Sequence, residues 1–227
     1  MIWMRGKALG NIVSGKCAAE ILGAFCLVAA CANTLWAQSD PEPLRTFTAP
    51  DAAFSFRYWD HLIRCKKIPE VWAPDECSAY HPTCDDLADL TGKRQTSIAC
   101  FAYPRNKFTD TKAFEAATFS VEVVDEHATA KSCLAGPEVE DVDKHGTTTI
   151  HGVSFAAFEF GEGGMNQGVD VELYRTFHHE KCYQLGINRA SANATVFDPP
   201  ERDLTDADER EVNGTLKQAL KSFRFLK

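Results

Sequence analysis

Beyond residue 37 the chain has no apolar run of the about 18 residues that a membrane-spanning helix needs. It has no C-x-x-C pair, since Cys77 and Cys84 are separated by six residues, so thioredoxin-like dithiol exchange lacks its motif. It has no G-x-S-x-G, which removes the nucleophile elbow of the α/β hydrolases. It has no H-E-x-x-H, because His179-Glu180 is followed by Lys181-Cys182. It shows no internal repeat and no low-complexity segment. It also lacks a basic surplus: 24 Lys/Arg stand against 32 Asp/Glu in 227 residues, a formal net charge of −8. Nucleic acid and anionic membrane surfaces are therefore excluded as partners on charge, since both need a basic face.

What is present begins with an export address. Arg5, Lys7 and Lys16 form a basic leader, and residues 21–30 (ILGAFCLVAA) form an apolar run of signal-peptide length. Residues 1–37 are thus expected to be a signal peptide cut after Ala37. A second reading is a lipoprotein signal, since Val28-Ala-Ala-Cys31 resembles the bacterial lipobox and would make Cys31 the lipidated residue; a third is an uncleaved anchor. Membrane attachment is expected only if Cys31 is lipidated. The leader carries three Lys/Arg and one Glu, so the part after it has 21 Lys/Arg against 31 Asp/Glu, a net charge of −10. Its 190 residues suit one domain of ordinary size, able to bury its own core.

Six cysteines lie beyond the leader: Cys65, Cys77, Cys84, Cys100, Cys133 and Cys182. An even number in an exported chain reads as three disulfides. Of 15 possible pairings, Cys77–Cys84, Cys65–Cys100 and Cys133–Cys182 are favoured. The first two cysteines lie close in a proline-bearing loop, the second two flank that loop, and the last pair follows by elimination. The expected localisation is periplasmic or extracellular, alternatively a membrane-anchored lipoprotein.

Residues 38–50 are polar and proline-bearing and read as a linker, with residues 51–227 as a single domain carrying a cysteine-rich excursion at 65–100. Ala53–Tyr58 and Thr96–Tyr103 have the two-residue period of strands, as does the second half of Phe114–Val124. A short helix is expected over His127–Leu134, carrying Cys133. Thr147–Ile150 and Val153–Phe160 flank His151-Gly152 and predict a hairpin, with Gly161–Gly164 as a flexible tip. Val169–His178 and Lys181–Asn188 predict a second hairpin, with Tyr183, Leu185 and Ile187 on one face of its return strand and Cys182, Gln184 and Asn188 on the other. After an acidic loop, Thr205 with Asp208 forms a capping box, and Val212, Leu216, Ala219, Leu220 and Phe223 fall on one helical stripe. The expected fold class is α+β: a mainly antiparallel sheet with a C-terminal helix and flanking short helices, stapled by disulfides.

The opening Ala49–Tyr58, the hairpin Ile150–Phe155 and the closing Leu216–Phe225 resemble the PsbP-like fold, the family of the extrinsic photosystem II subunit and its bacterial relatives. The resemblance spans about half of the chain beyond the leader through short hydrophobic motifs, and departs from the family in the excursion at 65–100. It implies a sheet flanked by helices and an accessory or binding role, and it supplies no catalytic residue.

The residues that could carry chemistry have plainer explanations. Neighbours on a strand point to opposite faces, so His178 and His179 would chelate one ion only from a turn, and a solvated turn at His178-His179-Glu180 is the expectation. Asp141, Asp143, His145 and Gly146 begin like a calcium loop, but the twelfth position is Gly152 and not Glu. Asn193-Ala-Thr and Asn213-Gly-Thr match the N-glycosylation pattern, which acts only in a eukaryotic secretory path. Trp59, Trp72, Tyr80 and Tyr103 bracket the excursion and would pack it against the sheet or line a groove. No catalytic residue, metal ligand or cofactor is assigned. The expected function is a non-enzymatic binding or accessory protein of the bacterial envelope or exterior, with an unknown protein or small-molecule partner. A hydrolase of the same compartment and a metal-binding module are the alternatives.

Overall fold

The computed structural model describes residues 43–65, 95–124, 127–137, 142–164 and 166–226. Alternation of Phe54, Phe56 and Tyr58 with Ser55 and Arg57 makes Phe54–Trp59 a strand, here β2, that turns aromatic rings inward. On one side β2 pairs antiparallel with β1, Leu44–Thr48, placing Phe47 opposite Phe56. On the other it pairs with the last strand, β10, Arg224–Phe225, which sets Phe225 opposite Phe54. The segment 38–50 is therefore not a linker throughout. Its apolar Leu44 and Phe47 find a partner in β2, a long-range pairing that local composition does not reveal.

The second sheet has seven strands among the described residues. They are β3 (Ile63–Arg64), β4 (Gln95–Ala102), β5 (Phe114–Val124), β6 (Asp143–Ile150), β7 (Val153–Gly164), β8 (Gln167–His178) and β9 (Lys181–Ala192). Their spatial order is β3-β4-β5-β9-β8-β7-β6, and every described pairing is antiparallel. Two-residue turns join β6 to β7 and β8 to β9. Their central residues all have positive φ: His151 45° and Gly152 82°, then His179 45° and Glu180 61°. Two expectations need correction. Phe114–Val124 is one strand along its whole length, because it is central and buried on both faces, which removes the alternation. Gly161–Gly164 is no tip: β7 runs through it, paired with β8 as far as Gly164 opposite Gln167.

Helix α1, Ala130–Ala135, carries the buried Cys133 and is capped by Thr129 and Ser132. Helix α2, Asp206–Ser222, starts with the Thr205–Asp208 capping box and buries Val212, Leu216, Ala219 and Leu220. Phe223 follows the helix end, also buried. The fold is α+β. The core lies where β1, β2, β10 and α2 meet one face of the seven-stranded sheet. Phe56 sits centrally in it, with ring centroids 5.5 Å from Phe101 and 5.0 Å from Phe119. The described residues belong to one unit.

The loop before α2 is clasped. Arg202 donates to both oxygens of Asp110 and to Asp208, and Thr111 donates to the Arg202 carbonyl. The hydrogen bond from Arg202 holds the Asp110 carboxyl below its usual range. Asp208 is lowered first by the Thr205 backbone N–H and then by Arg202. Both acids thus have depressed folded values, so the clasp contributes fully above the unfolded carboxyl pKa of about 3.9 and fades as pH falls through the lower folded values. Replacing Arg202 with Met is expected to flatten the acid limb of a stability-against-pH curve below about pH 4. An acid limb parallel to that of the unaltered protein would show that the clasp is not coupled to folding.

Candidate functional site

The seam between α2 and the sheet is the most developed polar feature on the molecular surface among the described residues. It arises from coverage. α2 packs over β2, β5 and β9, while the same face of β8, β7 and β6 extends past the helix. β8 therefore sends Asp170, Glu172 and Tyr174 along the helix flank. α2 answers with Glu209, Asn213, Lys217 and Lys221, spaced by four residues and so on one face.

Glu172 organises the seam. Its carboxylate accepts from the Tyr174 hydroxyl at 2.8 Å and lies 3.2 Å from the Lys217 ammonium and 3.8 Å from the Arg189 guanidinium. Arg189, on β9, also donates to Asn213 Oδ1 at 2.7 Å and reaches Asp170 at 4.0 Å. Burial first, and then the bond to Glu172, push the Tyr174 hydroxyl well above its ordinary range, so it remains a donor. On either side of this network the seam opens. Towards the start of α2 is a cavity of about 200 Å³, with Phe114, Leu204 and Val212 on its floor and Asp170, Arg189 and Glu209 around it. Towards the end of α2 is a shallower depression of about 420 Å³, bounded by Thr148, Thr149, His151, Tyr174, Lys217 and Lys221. The arrangement can hold a polar ligand in one orientation. Asp170, Glu172, Arg189 and Lys217 are already engaged with one another, which fixes their geometry.

The opposite face of the seven-stranded sheet carries a buried polar ladder. Ser120 donates to Glu122 Oε1 at 2.8 Å, Gln184 donates to Glu122 Oε2 at 3.0 Å, and Arg175 donates to Gln184 Oε1 at 2.7 Å. All four residues are buried. Burial pulls the Arg175 guanidinium down to about 10, against the opposing pull of Glu122. This ladder spans β5, β9 and β8 with all four side chains buried, so it reads as structure.

The cysteines and histidines fall elsewhere. Cys133 and Cys182 form a disulfide that ties α1 to β9, packed beside Val124. Cys65, just after β3, and Cys100, on β4, each take part in a disulfide, and the Cys65 N–H donates to the Cys100 carbonyl. Cys77, Cys84 and Cys31 lie outside the described residues, as do Trp72, Tyr80 and Asp141. His178 stacks on Phe225 with ring centroids 3.8 Å apart, which burial and the neighbouring His179 accompany by lowering its pKa. Asp143 and His145 belong to β6, where His145 faces Glu159 at 3.3 Å, so this stretch is a strand and not a calcium loop. Among the described residues no three His, Cys, Asp or Glu side chains converge as metal ligands. Tyr103 is buried and donates to Glu211 at 2.6 Å. The seam was missed by sequence reasoning. The four-residue spacing of Glu209, Asn213, Lys217 and Lys221 was a readable signal, but the strand facing it was not.

No family model matches the chain, and no curated protein matches it. Several solved structures are similar to it, three of which follow. LpqN of Mycobacterium tuberculosis, involved in cell envelope biogenesis, is 8% identical with a TM-score of 0.41, over 82% of this chain and 91% of that one. The Ran-binding protein Mog1p of Saccharomyces cerevisiae is 10% identical with a TM-score of 0.42, over 81% and 96%. The PsbP of Synechocystis sp. PCC 6803 is 7% identical with a TM-score of 0.39, over 83% and 96%. The last carries the name of the family that Ala49–Tyr58 and Leu216–Phe225 resemble. Identities and scores this low transfer neither residues nor activity, and the reading of the seam rests on its own geometry.

Proposed function

We propose that the chain is an exported, disulfide-stapled binding protein of the bacterial envelope or exterior, without a reaction of its own, and that its ligand lies in the seam along α2. The observation that carries this is the fixed charge array around Glu172. Three donor groups from two strands and a helix surround one carboxylate, which holds recognition groups in place without motion. A general acid or base needs a proton to move at its oxygens, whereas this carboxylate is committed to Tyr174, Lys217 and Arg189. Export is supported by the basic-apolar leader and by the disulfide-bonded Cys65, Cys100, Cys133 and Cys182, since such bonds persist in oxidising compartments. Among the described residues no helix is long and apolar enough to cross a membrane.

The test is amide chemical-shift mapping of the exported protein against the low-molecular-mass fraction of a native envelope extract. Shifts are expected at Asp170, Tyr174, Asn213 and Thr148, and not at the distant turn His179–Glu180. Asp170→Lys, at an exposed position, should remove them. Shifts absent from the seam, or unchanged in that variant, would overturn the reading.

A further inference from the structure

The seam is polarised from end to end, and its length is that of a short peptide. At its first end stand Asp170 and Glu209 with Arg189 between them, a surplus of one negative charge. At its other end stand Lys217 and Lys221, and since Lys217 is paired with Glu172 the surplus there is one positive charge, on the exposed Lys221. Part of this pattern is ordinary complement to the helix macrodipole, which favours acids at the first turn and bases at the last. That accounts for Glu209 and Lys221. It does not account for Asp170, which comes from β8, extends the negative sign onto the facing wall and is mostly exposed.

We infer that the seam takes an extended peptide of about six residues with both termini free, its ammonium at Asp170 and Glu209 and its carboxylate at Lys221. The inference rests on the binding reading above and names the class of ligand. From Glu209 to Lys221 the helix rises by about 18 Å, at 1.5 Å per residue. An extended chain advances about 3.3 Å per residue, so six residues set their termini about 17 Å apart. The apolar floor of Phe114, Leu204 and Val212 lies at the acidic end, which selects an apolar side chain at or beside the first residue. Thr148, Thr149 and Asn213 offer donors and acceptors to the peptide backbone along the way. A lone anion would satisfy only the lysine end, and a lone amine only the acidic end.

The experiment is equilibrium dialysis of the exported protein against four pools of randomised hexapeptides: free at both ends, N-acetylated, C-amidated, and blocked at both. Retained peptide is read by mass spectrometry. The free pool should be retained, with enrichment of apolar residues at the first position, and blocking either end should lower retention about tenfold, the worth of one charge-assisted contact of about 1.4 kcal/mol. Lys221→Glu should abolish the effect of amidation and keep that of acetylation; Glu209→Lys should do the reverse. Lys221→Met serves as a milder variant, and circular dichroism establishes that each is folded. Equal retention of free and doubly blocked pools would overturn the inference, as would displacement of the free pool by millimolar acetate or phosphate alone. If the envelope extract shifts the seam amides while no pool is retained, the binding reading stands and the peptide assignment falls.

Discussion

Replacing Glu122 with Ala is expected to lower the free energy of unfolding by about 3–5 kcal/mol, the range for removing one partner of a buried charged network. Glu122 is 1% exposed near the end of β5, and it accepts from Ser120 and Gln184. Without it the Gln184 amide loses its acceptor and the charge that offsets the buried Arg175 is gone. Glu122→Gln should cost less, since an amide oxygen can still accept from Ser120. Joint replacement of Glu122 by Leu and Arg175 by Met should recover much of the loss, because apolar groups of similar size need no partners. Denaturant unfolding of the three variants checks this. A loss for Glu122→Ala no larger than that of a surface change would show that the ladder is not buried in solution.

Replacing both Cys133 and Cys182 with Ser is expected to cost about 4 kcal/mol in the chain-entropy model for a loop of about 50 residues. The bridge has a sequence separation of 49, and it holds α1 against the sheet. Beside it, Gly136 with φ +97° lies against Phe158, and a Cβ there would come within 2.5 Å of the ring, so α1 is seated closely. The loss should appear as an earlier denaturant midpoint together with hydrogen exchange opening over residues 130–135. If exchange opens there while the midpoint is unchanged, the bridge anchors the helix without constraining the unfolded chain.

The parts that were legible before the structure are those whose cause is local. Thr205 and Asp208 announce the start of α2 because both halves of the capping box lie within four residues. The two tight hairpins follow from short turns between apolar runs. What was not legible depends on distant partners. Leu44–Thr48 shows little strand pattern by itself and is a strand because β2 offers an open edge. Periodicity placed Gln184 on the face away from Tyr183, but nothing in it says that Glu122 and Arg175 meet Gln184 there, since the three belong to different strands. The seam is hidden for the same reason. Its helix side has a helical spacing, while Asp170, Glu172 and Arg189 join it only through the pairing of β8 with β9.

The free edge of the seven-stranded sheet bears on how copies of the chain coexist at high concentration. Among the described residues β6 is the outermost strand and is largely exposed, with an outer edge that no other described strand pairs and that invites a strand from another molecule. Its ladder with β7 is interrupted between Lys144 and Thr147, where Gly146 turns to φ +84° and one extra residue bulges out. A visiting strand can therefore zip only along the short run Thr147–Ile150 before it meets the kink. Without that kink the edge would offer eight residues in line, long enough to seed stacking of one sheet upon the next. The bulge thus acts as a barrier to self-assembly, set into the strand where the sheet would otherwise continue.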